Sequence, residues 1–189
     1  MSRLFLLPAL MAISLAGPAG AATCPAPDTL REDAVERRFT QERHIEGMSK
    51  PLRSDGVLRA DEERIVWHMT SPFDVETVIT ADGITESVDG GTPQPVNAGP
   101  ANMGAGIARS AAALMRGQWD ELRTLFNVSS PAVLESGDWE ILLTPLQDRM
   151  KSAIGTIRVQ GCTEVVRVEI GGAGGDRQVI DFSSADDAS

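Results

Sequence analysis

No tyrosine occurs in the 189 residues, aromatic residues make up 4%, and there are only two histidines, two cysteines and 17 basic residues against 27 acidic ones. Each shortage removes a class of function. With so few aromatic rings, a carbohydrate-stacking platform is not favoured. The two histidines, His44 and His68, both fall in extended segments, and no His-x-x-x-His pair or cysteine cluster supplies a metal's ligand set. No serine occupies a Gly-x-Ser-x-Gly elbow, and Gly104-Ala105-Gly106 lacks both a preceding strand and a third glycine. The sequence therefore signals neither a hydrolase nucleophile nor a dinucleotide loop, and no catalytic residue, metal or cofactor is expected. A net charge of -10 opposes phosphate backbones, so nucleic acid is not an expected partner. The same charge opposes anionic lipid surfaces, and the protein is expected to stay in solution between membranes.

Long apolar runs are also scarce. The one at the start, Leu4 to Ala16, follows Arg3 and precedes the small residues Ala19-Gly20-Ala21. That order predicts a cleaved signal peptide over 1–21, since the run is too short and wrongly flanked for a membrane span. Residues 21–23, Ala-Ala-Thr, do not suit a lipid-modified Cys24. Residues 22–189 then form a single domain, exported to the periplasm. In that oxidising compartment Cys24 and Cys162 are expected to pair as a structural disulfide. The alternative, a redox or metal role, finds no Cys-x-x-Cys and no histidine near either cysteine in sequence.

What the chain does have is alternation. From Phe39 to Gly83 apolar residues recur every second position: Ile65, Trp67 and Met69 on one side of a strand, Arg64, His68 and Thr70 on the other. Turn signals at Ser54-Asp55-Gly56, Asp61-Glu62-Glu63, Ser71-Pro72 and Ala81-Asp82-Gly83 divide the stretch into an antiparallel meander. Strands are predicted over 39–45, 55–60, 64–70 and 75–81. Before them, a helix is predicted over Asp28–Arg38 from the stripe Leu30, Ala34, Phe39. After them, Ser87–Pro100 reads as a loop. Two helices follow, Ala105–Met115 and Gln118–Phe126. Strands resume at Val128, through Trp139, Ile141 and Leu143, then Ile157 and Val159, then Val166, Val168 and Ile170, then Ile180 and Phe182. Leu146–Ser152 is a helical turn, and Ala185–Ser189 an acidic tail. Eight to eleven strands must curl. The fold class is α+β: an incompletely closed antiparallel half-barrel with helices covering its open, apolar concave face.

Phe39-Thr40-Gln41, Gly56-Val57-Leu58, Trp67-His68-Met69-Thr70-Ser71-Pro72 and Asp82-Gly83 resemble the first half of the periplasmic lipoprotein carrier family, LolA. Leu122-x-x-x-Phe126-x-Val128, Trp139-x-Ile141-x-Leu143-x-Pro145 and the closing strand to Phe182 resemble its second half. The resemblance implies the half-barrel and a carrier without catalysis or cofactor. Such a carrier takes acyl chains of lipoproteins through the periplasm, from an inner-membrane release complex to an outer-membrane acceptor, as a monomer. The lining would be Leu58, Ile65, Trp67, Met69, Ile79, Ile141 and Leu143, capped by Leu114, Met115, Leu122 and Phe126. By alternation alone these side chains could equally be ordinary core. In the family an arginine before the Trp strand holds the cover shut; the candidates here are Arg59 and Arg64. The family's C-terminal extension has no counterpart after Phe182. A LolA-related binding protein or sensor for another lipid, or for an acyl or polyene product, therefore stands as the alternative.

Overall fold

The computed structural model describes residues 24–80, 82–96, 110–111, 113–152, 154–172 and 175–184. The expected signal peptide, the first part of the helix expected at Ala105–Met115 and the tail at Ala185–Ser189 lie outside them.

The strands are β1 (Val35–His44), β2 (Leu52–Ala60), β3 (Arg64–Ser71), β4 (Val75–Thr80), β5 (Gly83–Val88), β6 (Gln94–Pro95), β7 (Phe126–Val128), β8 (Ala132–Val133), β9 (Trp139–Pro145), β10 (Ile157–Gly161), β11 (Val165–Gly171) and β12 (Arg177–Ser184). They form one 12-stranded sheet in the order β6-β5-β4-β3-β2-β1-β12-β11-β10-β9-β7, with β8 also on β9. Every pairing is antiparallel. The two ends of this order do not pair with each other, so the sheet is open. The central pairing, β1 with β12, sets Phe39 opposite Phe182 and joins the two halves of the chain.

Alternation places the core. On β9, Trp139, Ile141, Leu143 and Pro145 are buried while Glu140, Leu142 and Thr144 are not. Several expectations fail, among them the turn at Ser54-Asp55-Gly56, which lies inside β2, and the loop at Ser87–Pro100, which holds the end of β5 and all of β6. The helix at Asp28–Arg38 is instead a single 3-10 turn, Pro27–Thr29, and β1 already starts at Val35. Its period of two is masked because Arg37, between the buried Val35 and Phe39, points to the same side. Arg37 is held there by Glu32 at 2.9 Å and Glu164 at 2.5 Å. The helix at Gln118–Phe126 is one turn, Trp119–Leu122, and Phe126 opens β7. On β11 it is Val165, not Val166, that is buried, because the ladder shifts between Gln160 and Gly161 and turns Val166 outward. Strand β5 was not expected at all: its Ile84, Glu86, Val88 face is interrupted by a charge.

Cys24 and Cys162 are bonded, with Cα atoms 4.8 Å apart and a sequence separation of 138. Both sulfurs are thus occupied, so the cluster Cys24, Asp138, Cys162 offers a metal no thiolate. Intact-mass analysis with alkylation should find no free thiol in protein taken from the periplasm; two alkylated thiols would contradict the bridge. The double variant C24S/C162S should lose about 5 kcal/mol in a denaturant melt, on a chain-entropy account of so long a loop.

Candidate functional site

A cavity of about 300 Å³ lies against the apolar face of the sheet. Its walls show that the sheet is strongly curled. Ile79 of β4 and Leu143 of β9 both line it, yet seven strand steps separate them, about 34 Å in a flat sheet. No cavity of this size could touch both unless the sheet wrapped around it, and the apolar face is therefore the concave one.

Nine of the predicted lining residues meet here: Leu58, Ile65, Trp67, Ile79, Leu114, Met115, Leu122, Phe126 and Leu143. Two do not, and register explains both. On β9 the cavity reaches Leu143 and its β10 partner Ile157, whereas Ile141 and its partner Val159 lie one alternation further along, in tight core. On β3 it covers Ile65 and Trp67, while Met69 lies beyond, half-buried against the core. The sequence reading missed the other wall. Ile157, Val168, Ile170, Ile180 and Phe182 come from strands recognised only as sheet, and Ile154 from the segment preceding β10. Their period-two pattern was visible; what was not visible is that β10–β12 fold back to face β3 and β4.

The floor is aromatic. Trp67 lies 4.1 Å from Phe39, centroid to centroid, and meets Phe182 edge-on at 6.4 Å. Among the described residues, Thr77 and Ser110 supply the lining's only side-chain hydroxyls, and Thr77 lies 3.5 Å from Glu86. None of the described lining residues is ionisable. His68 faces the opposite side of β3, where its Nε2 is 2.9 Å from Asp74, so the one histidine of the Trp strand is remote from the cavity.

Among the described residues, neither expected arginine reaches Ser110, Leu114 or Met115. Arg59 pairs with Glu36 and Arg64 with Asp61, both at the surface. The arginine that connects here is Arg116, directly after the lining residue Met115. Its buried guanidinium donates from Nε to the Glu32 carbonyl at 3.2 Å and from Nη2 to Glu62 at 3.5 Å. Glu62 sits on the β2–β3 tip, which Asp61 caps by accepting the amides of Glu63 and Arg64 at 2.9 Å each. Those two hydrogen bonds hold the Asp61 carboxyl below its ordinary pKa. The cap is therefore complete above the usual aspartate range and lost as pH falls through the depressed value. Arg116→Ala should lower stability by about 1–3 kcal/mol, because the Glu32 carbonyl loses its partner, while Glu62→Gln should change it by less than about 1 kcal/mol because Glu62 is exposed. Thermal melts of the two variants check this ordering.

A family model described as outer membrane lipoprotein carrier protein LolA-like matches residues 28–189. No curated protein matches the sequence. Among solved structures, the chain is similar to a LolA superfamily protein from Nitrosomonas europaea, at 9% identity and TM-score 0.47 over 84% of this chain and 88% of that one. It is also similar to a putative outer membrane lipoprotein-sorting protein domain from Vibrio parahaemolyticus, at 10% identity and TM-score 0.37 over 79% and 83%.

Proposed function

Since this chain belongs to the LolA-like family of outer membrane lipoprotein carrier proteins, we propose that it is a non-catalytic periplasmic carrier of acyl chains. Residues 1–21 direct export and are removed, and residues 22–189 act as one monomeric domain. The observation that carries this reading is the cavity: about 300 Å³, and lined, among the described residues, by apolar side chains with no ionisable group. An ordinary core would be filled to crystal-like density. Helical residues Ser110, Leu114, Met115 and Leu122 cover the concave face, and Arg116 anchors that cover to the β2–β3 tip. The disulfide suits an oxidising compartment.

Each methylene moved from water into the cavity contributes about 0.8 kcal/mol before the losses of immobilisation. The surface pairing of Arg59 and Arg64, where the family has an arginine that holds the cover shut, favours a second reading beside lipoprotein transport: a LolA-related protein that binds or senses another lipid, an acyl or polyene product. As a lipoprotein carrier it would take its cargo from an inner-membrane release complex to an outer-membrane acceptor. Native mass spectrometry of protein taken from the periplasm, with extraction of the bound lipid, separates the two readings. Protein that carries no lipid and binds no fluorescent fatty acid would overturn both.

A further inference from the structure

Register gathers several chain reversals at one end of the sheet. His44 pairs with Arg177, Arg43 with Leu52, Asp55 with Ser71, Met69 with Val75, and Val75 with Val88. The β1–β2 hairpin, the β3–β4 turn and the turn after β5 therefore share this end, and so does the exit of β9. Of the eight large apolar side chains that are exposed among the described residues, five stand here: Met48 (50%), Leu52 (50%), Phe73 (68%), Val88 (52%) and Leu146 (52%). Concentration at one rim is not the scatter expected of incidental exposure.

This rim continues the cavity. Leu52, Met69, Val75 and Val88 occupy the concave face by alternation, and Met69 and Val75 stand next along their strands from the lining residues Trp67 and Thr77. An apolar strip thus runs from Trp67 to the rim. The charge also differs locally from the rest of the chain. The β1–β2 hairpin carries Arg43, Lys50 and Arg53 against Glu46. Arg53 is held by Glu42 at 2.6 Å, but among the described residues Arg43 and Lys50 have no ion-pair partner. The hairpin is thus locally basic, although Glu42, Asp55, Asp74, Asp89 and Asp176 keep this end as a whole acidic, on a chain of net charge -10. Whole-chain charge, which argued against contact with anionic lipid, averages this away.

The geometry points to a docking surface for a lipid bilayer, with Met48, Leu52 and Phe73 entering the interface and Arg43 and Lys50 at the level of the phosphates. The anchors come from separate reversals spread along a rim and interleaved with cations. That pattern fits a plane of headgroups over acyl chains, and it forms no groove for a helix or strand. A bilayer is also the one partner that both supplies and accepts an acyl chain at the mouth of such a strip. In this respect the inference rests on the carrier reading.

Flotation with vesicles of phosphatidylethanolamine and phosphatidylglycerol tests it, using protein taken from the periplasm. The wild type should float with the vesicles. Met48→Asp, Leu52→Asp and Phe73→Asp should each weaken binding by about tenfold or more, and R43Q/K50Q should weaken it on these vesicles more than on phosphatidylcholine. Val133→Asp, an exposed apolar site on the edge strand β8, should float like the wild type and excludes a general effect of added charge. All three rim variants are exposed and should melt normally. Undiminished flotation of the rim variants overturns the proposal. So does a wild type that stays with the soluble fraction, whether it self-associates through this rim or binds only a protein acceptor. The cavity is judged separately: the rim variants should still bind a soluble fatty-acid probe, and a cavity variant should still float.

Discussion

Ile79→Glu should reduce binding of a fluorescent fatty acid by at least about a hundredfold while the protein still folds. Ile79 is half-buried on β4, between Ile65 of β3 and Ile84 of β5, and its side chain lines the cavity. A carboxylate there can keep part of its hydration while the cavity is empty. An acyl chain laid beside it would strip that water without offering a hydrogen bond, which costs several kcal/mol. The loss should appear in a probe titration, with a melting temperature within a few degrees of the wild type. Ile79→Val keeps the wall apolar and should bind nearly normally. Met69→Glu provides the contrast: Met69 lies past the cavity's end on β3, so its effect on probe binding should be much the smaller. Probe binding undiminished in Ile79→Glu would put the ligand elsewhere.

Gly56→Ala should be among the most destabilising single changes, at about 3 kcal/mol and roughly 10 °C in Tm. A Cβ on Gly56 would lie 2.1 Å from the His68 carbonyl oxygen and 2.6 Å from the Phe39 ring. The carbonyl belongs to the β2–β3 ladder and cannot swing aside. The ring is stacked on Trp67, so moving it disturbs the cavity floor. The ladder shifts between Asp55 and Gly56, where the strand is already committed to a local bend. Besides the lower melting temperature, the tryptophan emission of the folded variant should change. A variant as stable as the wild type would mean that Phe39 is not fixed where it lies.

Period two was legible wherever a strand alternates cleanly, and Trp139, Ile141 and Leu143 were placed correctly for that reason. It failed where a charged side chain takes a place in the apolar rank. Arg37 hid the start of β1, and Glu86 hid β5. It failed again at Val165, where an irregular ladder changes the parity that counting assumes. The site was half legible. Residues on β2–β4 and on the helical segments were identified because their patterns imply one apolar face. The opposite wall depends on how far the sheet curls, a property of twelve strands together that no local window contains. Arg116 was missed because it acts through a backbone carbonyl 84 residues away, and sequence carries no mark of such a pairing.

The disulfide has a mechanical consequence. Cys162 directly follows Gly161, which pairs with Trp139, so the covalent tie stands at the end of the sheet opposite the apolar rim. The Trp119 indole on the Pro27 carbonyl at 2.6 Å and the Arg116 contacts gather at the same end. A shell fastened along one side opens as a clasp does, by spreading at the other. Amide hydrogen exchange should therefore be graded along the strands, slowest beside Trp139 and Gly161 and fastest near Leu52 and Val75. Reduction of the bridge should flatten that gradient before it melts the sheet, turning a hinged motion into a diffuse one.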